Sequence, residues 1–233
     1  MMGPTHALSA AVVYLAAAPI YAPLADYTPG QIAVGVGVAA GAGMLPDLDQ
    51  EGSTIARSLG FVTNTLAWVV GKISGGHRNG THSLAGVLGF VAVAYGLVAI
   101  GGLAQAFVLW LLWGIGMRAC GVRVPFSTVA SSIVNALVVA AGIAIVYAAG
   151  VDVAEPLPLA IAIGCLVHIV GDMLTKEGCP LLWPFSRRRF NLAAFSTGGA
   201  VEKWLVAPGL GLLFVGLVCW YAYGEVWDAV GVT

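Results

Sequence analysis

Apolar residues run along this chain in long uninterrupted blocks, and polar residues collect in the short stretches between them. A helix needs roughly 20 apolar residues to cross the hydrocarbon core of a bilayer, within a range of about 17 to 25. Seven blocks come near that length, at residues 7–25, 30–46, 83–100, 103–117, 127–149, 157–175 and 204–223. The block at 59–70 is too short to span and too apolar for a free loop, so an interfacial or re-entrant helix is expected there. The pattern predicts an all-α fold: a polytopic transmembrane helix bundle of about seven spans, forming a single integral membrane domain over residues 1–233.

Composition strengthens this reading. Hydrophobic residues make up 59% of the 233 residues and charged residues only 9%, with a mean hydropathy of +0.92. Soluble domains carry roughly a quarter charged residues, so a water-facing exterior is excluded. A net charge of -1 leaves no basic patch for nucleic acid. Cys120, Cys165, Cys179 and Cys219 show no CxxC spacing and mostly sit in or beside apolar runs, as small buried thiols do. The opening MMGPTHAL lacks the basic region of a signal peptide and is expected to be retained.

Charge then orients the bundle. With the N-terminus in the cytoplasm, segments 47–82, 118–126 and 176–203 fall inside, and 26–29, 101–102, 150–156 and 224–233 fall outside. All ten Lys and Arg residues then lie inside, while Asp26, Asp152, Glu155, Glu225 and Asp228 lie outside. That is the positive-inside pattern, and it predicts a cytoplasmic N-terminus, an extracytoplasmic C-terminus and residence in the inner (cytoplasmic) membrane. Gly37 and Gly41 form a GxxxG in the second span, which suits close helix packing. Thr128, Ser131, Ser132 and Asn135 share one face of the fifth span, either for interhelical hydrogen bonds or to line a polar cavity.

The chemistry-bearing residues collect on the inner face that this topology defines. His6 begins the first span, Asp47 and Asp49 follow the second in LPDLDQ, His77 and His82 precede the third in HRNGTHS, and His168 with Asp172 closes the sixth. All four histidines of the chain belong to this set. Residues four apart on a helix share a face, so His168 and Asp172 can reach one ion, with a helix–helix hydrogen bond as the alternative. An extended LPDLD would aim both of its carboxylates at one point. The Asn79-Gly80 turn can bring His77 and His82 together, and Thr81 or Ser83 can cap the third span. Imidazole and carboxylate together suit Zn²⁺ or Mn²⁺, and three or more such ligands can lower the pKa of a bound water enough for attack at neutral pH. One or two divalent ions are expected. Arg78, between these ligands, is the expected clamp for a phosphate or carboxylate group. Glu202 is expected as a general base or partner of the site, or else as an interfacial charge paired with Lys203. Arg187, Arg188 and Arg189 read most simply as topology anchors.

The motifs THAL, MLPDLD, HRNGTHS and HIVGDMLTKEGCPLLWPF, in this order between apolar spans, resemble the LexA-regulated type of membrane-bound metal-dependent hydrolase of bacteria and archaea. The resemblance covers roughly residues 5–190 and leaves out the last span. It implies an integral inner-membrane protein with a metal-dependent hydrolase activity carried by His6, Asp47, Asp49, His77, His82, His168 and Asp172. The leading functional expectation is therefore hydrolysis of a lipid-linked ester or phosphoester at the cytoplasmic face. The alternative is a transporter or metal-ion handling protein that uses the same cluster, since intramembrane His and Asp also mark ion pathways.

Overall fold

The computed structural model describes residues 1–53, 55–56, 61–121 and 128–230. Arg57, Arg123, residues 59–60 and Ser127 lie outside the described residues, as do the side chains of Thr128, Glu225 and Asp228. Among the described residues the chain is helical throughout, with no strand beyond two isolated bridges, Thr175 with Phe195 and Cys179 with Phe190.

The helices are α1 (Gly3–Ala16), α2 (Ala18–Tyr21), α3 (Pro29–Ala42), α4 (Phe61–Ile73), α5 (Leu84–Ile100), α6 (Gly102–Ala119), α7 (Thr128–Ala148), α8 (Pro156–Met173) and α9 (Ala207–Val230). Local chemistry sets several of their ends. Thr28 and Gln31 close a reciprocal capping box at the start of α3, with Pro29 in the first turn. Gln31 also donates to Glu155 at 3.1 Å, which ties the starts of α3 and α8 together. Ser83 caps α5 through Gly86 N–H, which settles the choice between Thr81 and Ser83. Gly101, at φ 74, supplies the left-handed residue that lets α6 reverse directly after α5.

Among the described residues five stretches are long and apolar enough to cross a membrane: Pro29–Asp49, Gly102–Ala119, Ala130–Ala148, Pro156–Met173 and Glu202–Gly224. The apolar α5 is slightly shorter. The expected first span, 7–25, is broken instead into α1 and α2, because Pro19 has no N–H with which to continue the α1 ladder. At 14 residues α1 is about 21 Å long, less than the roughly 30 Å hydrocarbon thickness. The last apolar block starts earlier than expected, in a π-helical turn at Glu202–Val206. That turn precedes Pro208, whose ring displaces the α-helical bond to Trp204.

At the centre, α3 packs against α1, α6 and α8. This needs small residues: a side chain at Gly41 would strike the Leu112 backbone of α6, and one at Gly37 would strike Trp113. The GxxxG is thus a helix-packing surface. Of the apolar stretches, 67% of the α3 span and 61% of the α8 span lie inside the protein, against 11% for α7 and 0% for α9. Leu137, Ile145, Leu212 and Trp220 accordingly project outward, as lipid-facing side chains do. Helix α4 has Leu66, Trp68, Val69 and Ile73 exposed with Lys72 beside them, the composition of a helix lying in the interface. It packs against the 3₁₀ turn Leu45–Asp49 that follows α3.

Candidate metal centre

The packing of α1, α3 and α8 brings three of the chemistry-bearing segments together, and the turn before α5 brings the fourth. His6 comes from α1, Asp47 and Asp49 from the 3₁₀ turn, His77, Arg78 and His82 from the 77–82 loop, and His168 and Asp172 from α8. His6, Asp49, His82, His168 and Asp172 are buried. Asp47 is 20% exposed and His77 36% exposed, so these two mark the open side of the cluster.

The two most buried imidazoles are held so that their Nε2 atoms face one another. The His168 Nδ1–H donates to the Gly43 carbonyl at 2.6 Å, which leaves Nε2 with its lone pair. Thr81 donates its hydroxyl to Asp49 Oδ2 at 2.6 Å and accepts from His82 Nδ1 at 3.0 Å, so His82 also presents an Nε2 lone pair. The two Nε2 atoms lie 3.3 Å apart. Two facing lone pairs repel unless a cation or a proton sits between them. Asp47 Oδ1 lies 3.5 Å from His82 Nε2 and 3.7 Å from His168 Nε2, and Asp172 Oδ2 lies 3.7 and 3.8 Å from the same two atoms. Nitrogen and oxygen ligands about 2.0–2.2 Å from a tetrahedral zinc are about 3.3–3.6 Å from each other. Two of the observed separations, 3.3 and 3.5 Å, fall in that range, and the other three exceed it by 0.1–0.2 Å.

The remaining contacts hold these four groups in place. Asp172 Oδ1 accepts from His6 Nε2 at 3.2 Å and from the Met1 amine. Asp172 Oδ2 has no hydrogen bond, and Arg78 Nη2 lies 3.1 Å from it as an ion pair out of hydrogen-bond alignment. His6 stacks on His168 with ring centroids 3.7 Å apart, and its Nδ1 is buried without a partner. Burial would push the His82 imidazolium down, but the carboxylates of Asp47 and Asp49 outweigh it and raise the group to about 9. Unless a cation is bound, His82 therefore carries a second proton on Nε2, which fills the gap to His168, and a metal ion would take that proton's place. Ligand-type atoms converge in two groups, His6 with His168 and Asp172, and Asp47 with His77 and His82.

Three expectations change in detail. The LPDLD segment is a 3₁₀ turn rather than an extended strand, and in a helix of three residues per turn positions two apart diverge. Asp47 and Asp49 therefore take opposite sides of His82, one near each ring nitrogen. Asp49 is already engaged by three donors: His77 Nδ1 at 2.8 Å, Arg78 N–H at 3.0 Å and the Thr81 hydroxyl all bond to it. It acts as the brace of the 77–82 loop. Glu202 is fully buried, but its carboxylate accepts from Met2 N–H at 2.6 Å and Gly198 N–H at 2.7 Å, with no ligand-type atom of the cluster bonded to it. Arg78 sits at φ 58, an unusual conformation for a large side chain, with its guanidinium spanning Asp172 and Glu177. Thr81, Gly43 and Glu177 are the contributors that residue type alone did not single out. Only Thr81 had a signal, as the neighbour of His82.

Comparison with known proteins adds one result. The family model described as YdjM inner membrane protein matches residues 1–121 and 127–229, nearly the whole chain. That description names a location and no reaction. No curated protein and no solved structure matches the chain.

Proposed function

Because the chain belongs to the YdjM inner membrane protein family, and is with it a protein of the inner membrane, we propose that it is a membrane-embedded hydrolase for a lipid-linked ester or phosphoester, dependent on one or two divalent ions. The observation that carries this reading is the pair of buried Nε2 atoms 3.3 Å apart, flanked by Asp47 and Asp172. These four residues are the proposed ligands of a Zn²⁺ or Mn²⁺ ion; with two ions, His6 would join His168 and Asp172 at one, and His77 would join Asp47 and His82 at the other. When bound, such an ion lowers the pKa of a water molecule and polarises a carbonyl or phosphoryl oxygen. The resemblance of the MLPDLD, HRNGTHS and HIVGDMLTKEG motifs to a metal-dependent hydrolase family points the same way.

The chain's own residues have distinct parts in this reading. Asp49 and Thr81 hold His82 in one tautomer, the Gly43 carbonyl does the same for His168, and His6 orients Asp172. Arg78, at the edge of the cluster, has a planar guanidinium suited to a phosphate or carboxylate of the substrate. Asp47, partly exposed, marks the side from which substrate and water arrive. The protein in lipid nanodiscs should hydrolyse lipid esters or phosphoesters, lose turnover to a chelator and regain it with Zn²⁺ or Mn²⁺. A metal-loaded protein that turns over none of them, yet conducts divalent ions in liposomes, would replace this reading by transport.

We further propose that α1 and α5 join the five longer stretches as spans, giving seven, with the N-terminus and the metal centre on the cytoplasmic side. Local thinning of the bilayer accommodates the short α1. The distribution of Lys72, Arg78, Arg118, Lys176, Arg187, Arg188, Arg189 and Lys203 supports this. A reporter fused after Thr233 should be extracytoplasmic and one inserted at Arg188 cytoplasmic. Both reporters on one side would contradict seven spans.

A further inference from the structure

A groove of about 360 Å³ runs between α4 and α5 beside the metal centre. Val70 and Ile73 of α4, Gly89, Phe90 and Val93 of α5, and Trp183 form its walls, and Gly80 and Thr81 close its inner end. Thr81 is the residue whose hydroxyl bonds both Asp49 and His82. The groove therefore begins on the loop that carries the proposed ligands. From Ala85 to Val93 it follows eight residues of helix, about 12 Å, away from the inner face.

The lining selects the occupant. Its two hydroxyls are already engaged, Ser74 with the Gly71 carbonyl and Thr81 with Asp49, which leaves the Trp183 indole N–H as the one polar side-chain group in an otherwise apolar lining. Ile73 at 75% exposure and Val93 at 61% stand at its rim, and Leu88 beside them is 70% exposed, so the groove opens on the face that meets lipid. Glycine keeps it open: a Cβ at Gly89 would meet nothing within 4 Å. An apolar slot open to the bilayer at one end, and ending at a polar centre at the other, fits a hydrocarbon chain attached to a polar head.

We propose that this groove holds an acyl chain of the lipid substrate and delivers its head to the metal centre, an inference that rests on the hydrolase reading above. The occupant enters sideways from the bilayer, and chain length contributes to recognition through buried hydrocarbon.

Gly89→Trp tests this, because a Cβ there meets no atom within 4 Å and a large side chain can be introduced at the groove wall. A photoactivatable fatty-acyl phospholipid in nanodiscs should label residues 70–93 or Trp183 of the wild type, and labelling should fall at least tenfold in Gly89→Trp while metal content stays unchanged. In turnover, Gly89→Trp should lose most of its activity on a long-chain ester and keep that on a short-chain, water-soluble ester. Labelling elsewhere, or labelling and chain-length preference unaltered by Gly89→Trp, would overturn the groove assignment and leave the hydrolase reading standing. Labelling as expected, in a protein that hydrolyses neither ester, would overturn the hydrolase reading and with it the role of the lipid as substrate.

Discussion

His168→Asn should abolish metal binding and hydrolysis while the protein stays inserted, monodisperse and close to wild-type stability. The reasoning rests on which nitrogen does what. The amide nitrogen of asparagine falls near the place of Nδ1 and can keep the hydrogen bond to the Gly43 carbonyl, which His168 makes at 2.6 Å. The variant loses only Nε2, the atom that faces His82 at 3.3 Å. His168→Ala would remove both nitrogens and leave the Gly43 carbonyl without its partner, at about 1–3 kcal/mol. Comparing the two variants separates ligand loss from packing loss. Metal affinity in His168→Asn should drop by more than the roughly 10–100-fold that loss of an orienting partner costs. A His168→Asn protein that binds metal as tightly as wild type would show that His168 is a structural histidine.

Asp49→Asn should give the second large effect, and a different one. Asp49 accepts from His77 at one oxygen and from the Arg78 backbone and Thr81 at the other, so an amide in its place presents donors where one or two donors already point. The 77–82 loop would loosen and His82 would lose its fixed tautomer. Metal affinity should then fall about 10–100-fold without vanishing, and stability should fall by about 1–3 kcal/mol for the unsatisfied donors. Titration with a competing chelator measures the first and denaturant-dependent unfolding the second. Complete loss of metal, equal to that in His168→Asn, would make Asp49 a direct ligand. Unchanged affinity would remove it from the centre altogether.

The helical, membrane-spanning architecture was legible because span length and apolar composition follow from bilayer thickness. The co-location of His6, Asp47, His82, His168 and Asp172 was legible for a related reason: they lie at the start of odd-numbered blocks or the end of even-numbered ones, and alternating spans return those ends to one face. The details were not legible where a local rule competed with the hydrophobic pattern. Pro19 cut the first block, Pro208 and the preceding π-turn shifted the last, and the 3₁₀ turn at Leu45–Asp49 sent two carboxylates to opposite sides of one imidazole. The division of labour between Asp47 and Asp49 also depends on the Thr81 hydroxyl and the loop backbone, which residue spacing does not encode. Glu202 was assigned to the site from its charge and position. Its partners are the Met2 and Gly198 N–H groups.

Metal stoichiometry combined with X-ray absorption of the purified, metal-loaded protein tests the central claim most directly. The account predicts at least one Zn²⁺ or Mn²⁺ per chain, with nearest neighbours at about 2.0–2.2 Å that include two imidazoles, one of which disappears in His168→Asn. A protein that retains no divalent ion after loading, or one whose ion has no imidazole neighbour, would contradict it.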